Sequence, residues 1–157
     1  MRRKFMLGAI FVLLLAVASI TVASASADDD GKIELVSKTV QEADIDVPPT
    51  GEFGLGDSFV FAEDLFDGST KVGEDGGECT VVRLVEATQS ATVQCVVTVS
   101  LPKGQLTVQG LVTFVGEDDA PFVLPVTGGS GAYKTARGEV KVEPGENEDH
   151  LTFFLVR

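Results

Sequence analysis

The sequence predicts an all-β protein, an eight-stranded antiparallel up-and-down barrel, from three observations. Beyond residue 27, no segment repeats apolar residues at the helical period. Short runs rich in Val, Phe, Thr and Leu instead alternate with clusters of Gly, Asp and Pro, the pattern of strands and turns. Most connections between these runs are short, so sequence neighbours pair antiparallel. About eight strands in so small a domain lose their edges most simply by closing into a barrel.

The chain has 157 residues, and its beginning reads as a leader. Arg2, Arg3 and Lys4 precede an apolar run from Phe5 to Ile20, and Ala25-Ser26-Ala27 supplies small residues at a cleavage point. The run is short for a membrane span and is followed by acids rather than a basic stop-transfer cluster. We therefore expect a signal peptide over 1–27, a secreted product, and no membrane association after cleavage. Residues 28–157 then form a single barrel domain, of which 28–56 supply the first strand and a connecting loop. Losing three basic residues with the leader takes the net charge from −12 to −15. Such a surface repels phosphate backbones, so nucleic acid is not an expected partner.

The strands are expected at 32–40, 57–66, 78–86, 91–101, 105–115, 121–127, 137–143 and 150–157. With Lys103 and Gly104 at the tip of the fourth hairpin turn, Leu101 faces Leu106, Val99 faces Val108 and Val93 faces Phe114. Each pair puts apolar groups on one face, while Thr92, Gln94, Thr98 and Ser100 take the other. One hairpin back, a turn centred on Ala87-Thr88-Gln89 sets Cys79 opposite Cys95 and Val81 opposite Val93. Directly opposed cysteines are within disulfide reach, and export favours the bond. The resulting inward set includes Phe59, Phe61, Val81, Val97, Val108, Phe114 and Phe153, the expected ligand-binding wall. Either this wall encloses an open pocket, or its own side chains fill the barrel.

Three glycines in "VTGGSGAYKTARG", Gly128, Gly129 and Gly131, raise the question of a phosphate cradle. A P-loop would follow its last Gly with Lys and Ser or Thr and then a helix, whereas here Ala-Tyr-Lys-Thr leads into another strand. A dinucleotide fingerprint also needs a helix. The glycines are expected to shape a connection between strands, with Tyr133 plugging one barrel end. No nucleotide cofactor is expected. The acidic loops 116–119 and 146–149 lack the ligand alternation of a calcium loop, and His150 is a lone surface or edge histidine, so no metal site is expected either.

The same glycine-rich stretch resembles the signature of dirigent proteins and allene oxide cyclases. The likeness extends to "GDSFVFAEDLFDG", "GGECTVVR", "GQLTVQG" and "LTFFL", and covers about 57–157 in order. It implies the eight-stranded barrel of that superfamily, an apolar pocket for a small hydrophobic ligand, and a homotrimer. It also implies a catalytic acid at Glu34, although Val36 stands where the cyclases keep a water-holding Asn. Glu34 faces inward as an acid–base group if the Val36 and Val40 series is inside, or is a surface acid if Ile33 and Leu35 are inside. Arg83 shares parity with Cys79 and Val81, so it either points inward towards Glu34 or Glu63, or reaches water at the rim. The functional readings are a barrel that guides cyclisation or coupling of a bound molecule, an isomerase or cyclase using Glu34 and Arg83, or a filled structural barrel.

Overall fold

The computed structural model describes residues 31–49, 51, 53–116 and 120–156. The expected signal peptide lies outside the described residues, as do three residues of the first acidic loop, 117–119. Eight strands follow in order: β1 (Lys32–Ile45), β2 (Ser58–Asp67), β3 (Thr70–Val85), β4 (Ser90–Leu101), β5 (Gly104–Val115), β6 (Phe122–Gly129), β7 (Arg137–Glu143) and β8 (Asp149–Val156). Each pairs antiparallel with its neighbours, and β1 pairs with β8 to close the barrel. The only helical pieces among the described residues are single 3-10 turns at Glu86–Thr88 and Gly131–Tyr133.

The core is the alternating face of these strands turned inward. Val93, Val99, Leu106, Val108, Leu124, Val126, Val140 and Phe153 are buried, and Phe59, Phe61, Val97 and Phe114 pack against them. Cys79 pairs directly with Cys95 across β3 and β4 and is disulfide-bonded to it, as the hairpin register predicts. The β4–β5 register needs a correction. Leu101 pairs with Gly104 and Val99 with Leu106, so Pro102 and Lys103 form the tip. Proline presets the backbone for the second position of a tight turn, and glycine suits the fourth. The slip is two residues, and an even slip keeps every side chain on its face.

Three strands are longer than the sequence suggests. β3 begins at Thr70 rather than 78, running through Gly73, Gly76 and Gly77. A Cβ on Gly77 would lie 2.7 Å from the Val96 carbonyl oxygen and 3.0 Å from the Phe61 ring, so glycine here admits close neighbours within a strand rather than marking a loop. β6 likewise takes in Gly128 and Gly129, which were expected in the connection. Gly131 does turn the chain, at φ +59°. Its loop is tied down by Ser130 and Ala132 N–H groups donating to the Gln105 and Lys103 carbonyls. Tyr133 packs against the core at the end of the barrel where β1 begins, beside Ile33 and Leu155.

The longer β1 contains an irregularity that decides the chemistry of the interior. Thr39 pairs with Glu63 and Gln41 with Ala62, leaving Val40 as an extra residue. A bulge of one residue reverses the alternation beyond it. Ile33, Leu35 and Ser37 are buried on the inner side before the bulge, whereas Glu42 and Asp44 face inward after it. A second bulge leaves Val82 unpaired between Val81↔Val93 and Arg83↔Thr92 in the β3–β4 ladder.

Candidate functional site

Between these walls lies a cavity of about 320 Å³ that opens at the end of the barrel where β1 finishes and β8 starts. Its floor and sides are apolar. Val97 and Val99 of β4, Val108 and Val112 of β5, Leu124 of β6, Val140 of β7, and Leu151 and Phe153 of β8 all border it. The Cys79–Cys95 disulfide forms part of the same wall. Four phenylalanines also contribute, Phe59 and Phe61 tilted against each other and Phe114 edge-on to Phe122, each pair 6.3 Å between ring centres.

One polar group stands well inside. Asp75 of β3 is 7 % exposed, pairs with Glu63 on β2 and Val99 on β4, and its Oδ1 has no hydrogen-bond partner. Burial, then the neighbouring Glu63 charge, push its carboxyl up to about 8. In the protonated state Asp75 donates a hydrogen bond to Glu63, and Asp149 adds further repulsion against ionisation. At neutral pH, Asp75 therefore holds a proton within an apolar chamber. Glu63 is positioned by the Thr39 hydroxyl, which donates to its Oε1 at 3.1 Å, and Asp149 Oδ1 accepts from the Gly145 N–H. Glu42 and Asp44 complete an acidic margin. Among the described residues, no three His, Cys, Asp or Glu side chains converge as metal ligands.

Of the wall residues expected from the sequence, Phe59, Phe61, Val97, Val108, Phe114 and Phe153 border the cavity, while Val81 is buried but does not. The inward placements of Glu34 and Arg83 are corrected. Ile33 and Leu35 take the inner face of β1, so Glu34 points to solvent, 68 % exposed and ion-paired with Lys32 at 2.6 Å. The bulge at Val82 turns Arg83 to the outer face, opposite Thr92, where it is exposed. Neither side chain borders the cavity. Asp75 was the residue missed. It shares alternation with Gly77 and Cys79, a signal hidden because "GEDGG" reads as a turn.

The structure is thus a closed antiparallel barrel with an apolar chamber and a buried acid. The sequence matches the family described as "Allene oxide cyclase barrel like domain" over residues 29–156, and the chain belongs to that family. Among solved structures it is similar to a pyocyanin demethylase at 26 % identity and TM-score 0.68, covering 80 % of this chain and 99 % of that one. A Diels–Alderase from Streptomyces koyangensis is similar at 16 % identity and TM-score 0.64, over 80 % of this chain and 64 % of that chain. A pterocarpan synthase dirigent protein aligns at 13 % identity and TM-score 0.58, over 79 % of this chain and 81 % of that chain. A sequence comparison with curated proteins finds no match.

Proposed function

We propose that this protein is an exported barrel that encloses a small hydrophobic molecule and guides its cyclisation, coupling or isomerisation, with Asp75 as the proton-holding group. The observation that carries the reading is the open cavity with a single deeply buried carboxyl facing it, one whose pKa burial pushes up to about 8. Confinement by rigid walls selects a reactive geometry. A carboxylic acid whose proton is lost near neutral pH serves as a general acid and, once ionised, as a base. The interaction with Glu63 favours the protonated form of Asp75. The 26 % identical pyocyanin demethylase supports an enzyme acting on a small molecule. The open interior speaks against a filled structural barrel, and the exposed positions of Glu34 and Arg83 speak against a mechanism built on them.

The test is binding of the neutral solvatochromic dye Prodan. Saturable binding of one dye per chain is expected, lost in Val108→Trp and unchanged in Glu34→Gln and Arg83→Met. No saturable binding, or equal binding by Val108→Trp, would defeat the reading. Export is checked separately: the mature protein in the medium should begin at Asp28, and an intact leader on intracellular protein would reject it. Assembly as a homotrimer accords with exposed Val96, Leu111 and Val123 on the outer face, and light scattering at three times the monomer mass is the expected result.

A further inference from the structure

We propose that the cavity selects ligands bearing a delocalised positive charge, N-alkylated or N-protonated aromatic ring systems, seated with the cationic ring beside Asp75 and Glu63. The inference rests on the reading of the cavity as a small-molecule site and adds the chemistry of the ligand.

Charge balance is the first argument. Among the described residues, five carboxyl groups border the chamber and no Lys, Arg or His does. They come from every strand near the mouth that carries a charge inward: Glu42 and Asp44 on β1, Glu63 on β2, Asp75 on β3 and Asp149 on β8. The adjoining β4 contributes only Val97, Val99 and Cys95. Nearby lysines are engaged outside the cavity, Lys38 with Glu148, Lys71 with Asp64 and Lys141 with Glu143. A concentrated single-sign field in a low-dielectric cleft attracts the opposite charge and excludes its own.

The second argument is the unsatisfied atom. Asp75 Oδ1 is buried without a partner, a cost that a ligand group can relieve. A neutral donor would satisfy that one oxygen and leave the surrounding acids uncompensated. A cation compensates them all, and it does so best when Asp75 ionises. The walls fix the form of that cation. A hydrated metal ion would need converging oxygen ligands, and the described residues offer no such set. Phe59 and Phe61, four and two residues before Glu63 on the same inward face, present aromatic surface on which a flat cation gains both burial and ring attraction. A chamber of about 320 Å³ has the size of a small-ligand pocket.

Seating a cation at Asp75 favours its ionised form, so binding at neutral pH releases a proton to solvent. The affinity of a permanent cation therefore rises with pH towards about 8 and levels above it, whereas that of a neutral molecule does not.

The experiment compares N-methylquinolinium, its neutral isostere 1-methylnaphthalene and the anion 1-naphthoate, by displacement of Prodan and by calorimetry in buffers of different ionisation enthalpy. At pH 7.5 the cation is expected to bind at least tenfold more tightly than 1-methylnaphthalene, with net proton release, and naphthoate to bind most weakly. From pH 6 to pH 8 the cation's affinity should rise about tenfold or more. Asp75→Asn should abolish the proton release and cut the cation preference below threefold. Glu63→Gln, measured alongside, should weaken the same preference if the Asn variant fails to fold. Equal or tighter binding of 1-methylnaphthalene overturns the inference and leaves the small-molecule reading intact. Failure of all three probes, and of Prodan, overturns both.

Discussion

Replacing Asp75 by Asn removes a buried acid at nearly constant shape, and the structure fixes both the sign and the size of the effect. The folded-state carboxyl is raised from 3.8 to about 8 by burial and by Glu63 and Asp149. A raised acid contributes its full stability below the unfolded value and loses it as pH climbs to the folded one. Wild-type stability should therefore fall through the window from about pH 4 to about pH 8 and flatten above it. At pH 7 the deficit spans about three pH units at about 1.4 kcal/mol each, on the order of 4 kcal/mol. Asp75→Asn carries no such deficit. It should be more stable than wild type at pH 7 by up to that amount, an increase of about 10–15 °C in Tm for a domain of this size. At pH 4 the two proteins should nearly coincide. The assay is urea denaturation of both proteins at pH 4, 5, 6, 7 and 8, read as their difference, because the general surplus of acids acts on both alike. A difference that does not grow with pH, or an Asn variant less stable than wild type at pH 7, would refute the account of Asp75 as a protonated interior acid.

Thiol titration of the unfolded, unreduced protein should find no free sulfhydryl, and two free thiols would contradict the paired cysteines. Removing the bridge by Cys79→Ala with Cys95→Ala should cost roughly 2–4 kcal/mol in a chemical denaturation curve, since its loop is short. The three glycines of the signature should separate under substitution by Val. Gly129→Val and Gly131→Val bring a Cβ within 2.5 Å and 2.4 Å of backbone oxygens and should cost about 3 kcal/mol or more. Gly128→Val meets side-chain atoms alone, the Thr107 hydroxyl at 3.3 Å and Arg137 Nη1 at 3.9 Å, and should cost about 1 kcal/mol, so equal losses at all three positions would defeat this distinction.

The barrel and its inner face were legible because alternation is a strong signal wherever one face is buried. The disulfide followed from the hairpin centred near Ala87, and even the two-residue error at Pro102 left the β4 and β5 faces unchanged. Odd insertions are another matter. A bulge adds one residue without a compositional mark, so Val82 turned Arg83 outward and Val40 turned Glu42 and Asp44 inward, against simple parity. Asp75 stayed hidden for a different reason. Glycines that allow close packing within a strand have the same letters as glycines that turn a chain, and "GEDGG" gave no way to tell them apart.

The bulge at Val40 also makes the lining of the chamber sensitive to how a single residue is accommodated. Every side chain from Gln41 to Ile45 owes its direction to that bulge. Excising Val40 would leave a regular ladder with Glu42 and Asp44 still facing inward. Drawing Val40 into the ladder opposite Ala62 would instead exchange Glu42 and Asp44 for Gln41, Ala43 and Ile45 at the opening, replacing an acidic rim by a nearly neutral one in a single step. A point substitution edits one position of such a wall, whereas the gain or loss of a bulge at fixed chain length rewrites a whole edge of it. Barrels built this way can diverge in what they admit by moving a bulge, with the strand order and the buried floor left untouched.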